Sequence, residues 1–119
     1  MAKVLVIDDA YFVRLNVRTF LESKGFEVAE AENGLLALEV YNDFMPDVVL
    51  CDITMPVMDG VSFLKNLFKS HPTAKVVMLT STSDSSVISE TLAIGAKNFL
   101  TKPFNPEVAL ETIEAILNA

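Results

Sequence analysis

Four apolar runs in the sequence end in residues that could do chemistry. "KVLVID" (3–8) leads into Asp8-Asp9, "DVVLC" (47–51) into Asp52, "KVVMLT" (75–80) into Thr80-Ser81, and "NFLT" (98–101) into Lys102-Pro103. A carboxylate at the end of an unbroken apolar run is costly to hold unless something pairs with it, so Asp52 demands a reason. Carboxylates packed within a few ångströms need compensation, from a proton or from a cation. A donor set of two or three carboxylates with coordination positions to spare suits Mg²⁺, which keeps waters and accepts phosphate oxygens. A lysine and a hydroxyl opposite the metal would take the other oxygens of a phosphoryl group. Aspartate is itself a nucleophile for phosphoryl transfer, forming an aspartyl phosphate. Such transfers depend mainly on positioning and charge stabilisation, for which these residues suffice. No His or Cys cluster offers a zinc site, and His71 stands alone before Pro72 in what reads as a solvated loop.

Each of these residues also has a bland reading. Asp9 could cap the first helix, Lys102 could be a solvated lysine, and Thr80 could be a helix-entry turn residue. Their joint occurrence at four strand ends is what favours a site, and it requires elements that bring those ends together. The runs 3–8, 47–51 and 75–80 are nearly continuous and β-branched, as in strands covered on both faces of a parallel sheet. "EVAEA" (27–31) alternates like an edge strand, and "NFLT" is a short fifth. Between them, 60–70 and 106–118 carry apolar residues at helical period, and 11–24, 34–43 and 84–94 do so less cleanly. Gly25 and Gly95 fall at helix C-caps, and Pro106 suits a first turn. Five strands alternating with five helices imply an α/β domain with a doubly wound parallel sheet and right-handed crossovers. In that architecture ligands bind beyond the carboxyl ends of the strands, where strand order reverses.

Composition bounds the function. With 119 residues, 51% apolar and 21% charged, the chain reads as one globular domain over 1–119, without linker or repeat. Its net charge of −7 leaves no basic stripe for phosphate backbones, so direct nucleic-acid binding is not expected. The apolar runs fall well short of the ~20 residues of a membrane span, and no signal-peptide pattern opens the chain. A lone cysteine, Cys51, excludes an internal disulfide and fits a reducing cytoplasm.

The stretches "VLVIDDAYFVR", "PDVVLCDITMPVMDG", "VVMLTSTSD" and "GAKNFLTKPFNPE" together resemble the response-regulator receiver domain, the CheY-like family, over essentially the whole chain. The resemblance implies the flavodoxin-like (βα)5 fold with strand order 2-1-3-4-5. The strand pattern agrees, with the first, third and fourth strands central and the second at an edge. It also implies roles. Asp52 matches the phospho-acceptor, and Asp8 and Asp9 match the acidic pair. Asp9 and Asp52 would ligate Mg²⁺, Asp8 would act more through water, and the Thr54 backbone carbonyl would be a further ligand. Thr80 and Lys102 would bind the phosphoryl group. Thr80 and Phe99 would form the switch, although Phe99 read on its own is a core residue. Thr54 and Thr82, at the positions that tune dephosphorylation, carry no carboxylate or amide. The bond Lys102–Pro103 is a candidate cis peptide.

The expected function is a two-component receiver that takes a phosphoryl group on Asp52 from a histidine kinase or small phosphodonor. A surface of the fourth helix, fifth strand and fifth helix would then bind a protein target, with the chain a monomer. It would catalyse its own phosphorylation and dephosphorylation without being a turnover enzyme. The chain ends just after the fifth helix, and "NPEVALETIEAILNA" has no arginine of the kind that pairs dimerising receivers. That weakens the reading as a DNA-binding dimer. A stand-alone chemotaxis-type regulator is the leading expectation, with a phosphorelay intermediate or a receiver cut from a longer regulator as alternatives that the sequence does not separate. Two rival classes share parts of this pattern. A flavodoxin-like electron carrier would find Asp8-Asp9 repelling the flavin phosphate. A haloacid-dehalogenase-like phosphatase would want an acid at Thr54.

Overall fold

The structure, a computed structural model, describes residues 2–81 and 85–119. Its elements run β1 (Lys3–Ile7), α1 (Tyr11–Ser23), β2 (Glu27–Ala31), α2 (Gly34–Phe44), β3 (Val48–Asp52), α3 (Gly60–Ser70), β4 (Val76–Thr80), α4 (Ser85–Ile94), β5 (Asn98–Thr101) and α5 (Pro106–Leu117). The strands form one sheet of order β2-β1-β3-β4-β5, and every neighbouring pair is parallel. This is the expected 2-1-3-4-5 sheet. β1 pairs with both β2 and β3, so the crevice where strand order reverses lies between the ends of β1 and β3.

Alternation along the central strands explains why they read as unbroken apolar runs. Leu5, Ile7, Val49, Cys51, Val76 and Met78 face a core completed by Ala37 and Tyr41 of α2 and by Phe63, Leu64 and Leu67 of α3. Val4, Val6, Val48, Leu50, Val77 and Leu79 face the opposite core, against Val17 and Leu21 of α1 and Ile113 of α5. Both faces of these strands are therefore dry, and neither register position tolerates a polar side chain. The edge strands are wetter: β2 is buried at Val28 and Ala31, and no residue of β5 is fully buried.

The helix starts are built as their sequences suggest. Asn33 Oδ1 accepts from Leu36 N–H at 2.9 Å and Asp59 Oδ1 from Ser62 N–H at 2.8 Å, each satisfying an amide that the helix leaves open. Pro106 sits in the first turn of α5 after the Asn105 cap. Gly25 and Gly95 follow α1 and α4 with φ of 91° and 143°, a region that favours glycine. His71 departs from the solvated-loop expectation. It closes α3, its ring lies 4.6 Å from that of Tyr41, and its Nε2 pairs with Asn42 Oδ1 at 2.9 Å.

Candidate functional site

The site is assembled by backbone ties between strand ends before any side chain contributes. Asp8 N–H donates to Ala31 O at 3.1 Å, Ile53 N–H to Leu79 O at 3.2 Å, and Lys102 N–H to Thr80 O at 2.8 Å. Each tie extends a strand pairing by one residue and fixes where the chain turns away. The loop after β3 is pinned at its far side, where Gly60 N–H donates to Ile53 O at 2.8 Å and Gly34 N–H to Met58 O at 3.1 Å. Gly60 has no room for a side chain: a Cβ there would sit 2.5 Å from Asp52 O and 2.8 Å from Ile53 Cα. A residue other than glycine would push on the backbone that presents Asp52.

Three of the expected site residues meet at one ammonium group. Lys102 Nζ lies 2.8 Å from Asp8 Oδ2 and 3.3 Å from Asp52 Oδ2, so the β5–α5 loop reaches across to the ends of β1 and β3. Asp8 is fully buried. Its Oδ1 accepts from Ala10 N–H at 2.9 Å, and beyond the ion pair its Oδ2 has no hydrogen-bond partner among the described residues. Asp9 is exposed at the mouth. Asp8, Asp9 and Asp52 each offer a carboxylate oxygen within 4.8 Å of the others. The bland reading of Asp9 fails, because Ala10 and not Asp9 occupies the cap position of α1.

Asp52 differs from expectation in its position. The apolar run 47–51 puts Asp52 just past the strand; instead Asp52 is the last residue of β3 and only 5% exposed. Ile53 and Met55, next along the loop, are also buried and join the α3-side core. Burial pushes the Asp52 carboxyl up from the usual carboxylate range, and the charge of Asp8 adds to this. The Lys102 ammonium and the Thr54 N–H pull the other way without cancelling the shift. For Lys102 burial is the largest single influence and favours the neutral amine. The bonds and charges of Asp8 and Asp52 together outweigh it and raise its pKa. The acids and the lysine thus hold one another in place.

The remaining expected residues fall as follows. Thr80 ends β4 and is buried; Phe99 in β5 is half-buried against the α3-side core. Thr54 is exposed and touches Asp52 through its backbone N–H. Thr82 lies outside the described residues. The Lys102–Pro103 peptide is cis. Sequence reasoning assigned no role to Arg14, whose Nη1 donates to the Asp8 carbonyl oxygen at 2.7 Å. Its signal is slight, an arginine one turn into the helix after the acid pair.

One loop residue is strained. Val57 adopts φ of 70° while 76% exposed. A β-branched residue in the left-handed region costs about 1 kcal/mol or more, and so open a side chain recovers little by packing. Val57→Asn is expected to raise the unfolding free energy by about 1 kcal/mol in urea titration. A lowered midpoint would show that the valine side chain contributes more than its strain removes.

A parallel 2-1-3-4-5 sheet with acids at the ends of β1 and β3 and a lysine after β5 defines a receiver class of signalling domain. The chain belongs to the response regulator receiver domain family, whose match spans residues 4–114. Within that family it is of the chemotaxis type. It is 41% identical over 117 residues, 98% of each chain, to the chemotaxis protein CheY of Bacillus subtilis (strain 168). Among solved structures it matches chemotaxis protein CheY4 of Vibrio cholerae with a TM-score of 0.93 and 37% identity, covering 98% of this chain and 99% of that one. It also matches a chain in the CheX-CheY-BeF3-Mg+2 complex from Borrelia burgdorferi, with a TM-score of 0.92 and 30% identity over 97% of this chain and 88% of that one. Receiver domains of this kind are two-component signalling proteins and not turnover enzymes, and they bind Mg²⁺ at an acidic pocket such as Asp8, Asp9 and Asp52 form here. No helix among the described residues is long and apolar enough to cross a membrane.

Proposed function

We propose that this chain is a chemotaxis-type switch that accepts a phosphoryl group on Asp52 from a histidine kinase or a small phosphodonor. The observation that carries this reading is the Lys102 ammonium set between Asp8 and Asp52. On this reading Asp52 is the acceptor carboxylate, Lys102 the cation for the incoming oxygens and Asp8 a second acid beside the metal. The metal fits the donor set: all candidate ligands are hard oxygens, and buried Asp8 Oδ2 has bonding capacity left. Asp9, Asp52 and the Thr54 carbonyl would hold Mg²⁺, with Asp8 acting more through water. The ion would supply charge that offsets the repulsion between an anionic acceptor and an anionic donor.

An Asp52 carboxylate oxygen attacks phosphorus in line. The new O–P bond forms as the donor's P–N or P–O bond breaks, and the departing atom keeps the bonding pair, an imidazole nitrogen leaving on a neutral ring and a small phosphodonor's carboxylate leaving as the anion. Lys102 and Thr80 hold the equatorial oxygens as charge develops on them. The bound phosphoryl group keeps Thr80 and Lys102 drawn in, and Phe99 follows Thr80 inward. The face of α4, β5 and α5 then presents a different surface to its protein target. Attack by water on the aspartyl phosphate returns free phosphate and resets the switch. The Borrelia burgdorferi complex supports this reading, since it joins CheX and CheY with BeF3 and Mg²⁺.

The test is labelling of the whole chain by radioactive acetyl phosphate. Label is expected with Mg²⁺ and is expected to vanish in chelator; label that is indifferent to the metal contradicts the mechanism. Thr54 and Thr82 carry no group that positions an attacking water, so the phosphorylated state is expected not to be exceptionally short-lived. At least one of Thr54→Asn and Thr82→Glu should change the rate at which label is lost. Unchanged rates in both would remove these positions from the reset step.

A further inference from the structure

We propose that Arg14 is a positioning residue for the acid pair, fixing the turn that carries Asp8 and Asp9 and through it the affinity for Mg²⁺. The proposal rests on the reading of Asp8, Asp9 and Asp52 as the metal-binding half of the site.

The turn from β1 into α1 has little else to hold it. Its cap residue, Ala10, has no side chain that could bond the open amides of α1. Asp8 is tied to β2 through its own N–H, which donates to Ala31 O, but the next peptide is beyond the sheet ladder. No hydrogen bond or ion pair among the described residues holds the Asp9 side chain, so the backbone is the part of Asp9 that the fold fixes. The group that grips that backbone is Arg14. Its Nη1 donates to the Asp8 carbonyl oxygen at 2.7 Å, and its own N–H donates to Ala10 O at 3.1 Å. Ala10 N–H in turn donates to Asp8 Oδ1 at 2.9 Å, which closes a ring of bonds around Asp8, Asp9 and Ala10.

The grip is anchored on the sheet. Arg14 Nε donates to Glu30 Oε1 at 3.0 Å, and Glu30 stands in β2 opposite Val6 of β1. The other oxygen, Glu30 Oε2, accepts from Arg18 Nη1 at 2.8 Å. Burial alone would push the Glu30 carboxyl up, yet the bonds from Arg18 and Arg14 hold it below the usual range. The Tyr11 ring, 5.8 Å from the guanidinium carbon, covers the Arg14 group from outside. A planar fork can make the Asp8 and Glu30 bonds at once, whereas a lysine ammonium cannot reproduce that geometry. The pairing with Glu30 also balances the arginine charge, so the cation can sit next to a metal site without opposing the metal.

Calorimetric Mg²⁺ titration of the full chain tests this without any phosphodonor. Outer partners of metal ligands commonly carry a tenfold or larger share of affinity, so Arg14→Met is expected to weaken Mg²⁺ binding roughly tenfold. Arg14→Lys should weaken it less. Arg18→Met cuts the other bond to Glu30 without touching Asp8, so it should lower the melting temperature and leave Mg²⁺ affinity as in wild type. Equal affinity in wild type and Arg14→Lys, with Arg14→Met either equal or unfolded, overturns the proposal and makes Arg14 a fastener of α1. A wild-type chain that binds no Mg²⁺ overturns the reading of the acid pair itself, an outcome distinct from the first.

Discussion

Asp52→Asn loses all labelling by acetyl phosphate and, in metal-free buffer at neutral pH, melts above the wild type, by about 3 °C. The two results belong together. Loss of label follows from loss of the attacking oxygen. The gain in stability follows from the environment of Asp52, whose folded-state pKa is raised by burial and by Asp8 despite Lys102. An acid of raised pKa holds its proton more tightly folded than unfolded, so stability falls as pH rises from the unfolded pKa through the folded one. The penalty is absent below about pH 4, the unfolded carboxylate value, and grows as pH rises through the folded one. The gap between variant and wild type should therefore shrink on acidification, and Mg²⁺ should narrow it by stabilising only the wild type. Melting curves across pH, with and without the metal, check both points. A destabilised variant would mean that the Lys102 bond outweighs the repulsion and would remove the claim that the acceptor is held under strain.

Lys102→Met has the opposite effect on stability. Asp8, fully buried, and Asp52, nearly so, would face each other without their shared ammonium, while methionine keeps the apolar stem of the side chain. Removing one partner of a buried ion pair costs about 3 kcal/mol. The loss should be largest near pH 8. Lys102 has a raised folded pKa, so its contribution in the wild type is complete below the unfolded lysine value and fades only as pH rises through the folded one. In the variant Asp52 gains proton affinity instead, so stability should return as pH falls through the Asp52 titration, or on adding Mg²⁺. Labelling should slow roughly 100-fold, as when one donor to a developing oxyanion is removed. Urea unfolding at pH 5 and pH 8 reads the first effect. A variant as stable as wild type at pH 8 would show that Lys102 does not hold the acids together.

The sheet was legible because its central strands are covered on both faces, which leaves runs such as "VVLC" with no polar position to confuse them. The edge strand β2 was legible for the opposite reason, since the two glutamates of "EVAEA" stay wet, Glu27 exposed and Glu30 half-buried on opposite faces. Which residues end the strands follows from the same pattern, and that is why Asp8, Asp52, Thr80 and Lys102 could be named together. How deeply Asp52 lies could not be read, because its burial depends on the segments around it, Gly60 of α3 and Lys102 of the β5–α5 loop among them. Those are distances between segments and not patterns within one. Arg14 was missed for the same reason: its partners Asp8 and Glu30 sit in the turn after β1 and in β2, and neither spacing is a helical or strand period. The strain at Val57 depends on a backbone angle, which a valine in a loop does not announce.

Acetyl phosphate treatment with Mg²⁺, followed by borohydride reduction and peptide mass spectrometry, tests the central claim most directly. Borohydride converts an acyl phosphate to the alcohol and leaves free carboxylates and hydroxyl phosphates unreduced, so the reduced position marks the acceptor. The expected result is a single reduced residue at Asp52, absent when Mg²⁺ is withheld. Reduction at Asp8 or Asp9, or phosphate retained on Thr80 with Asp52 intact, would contradict it.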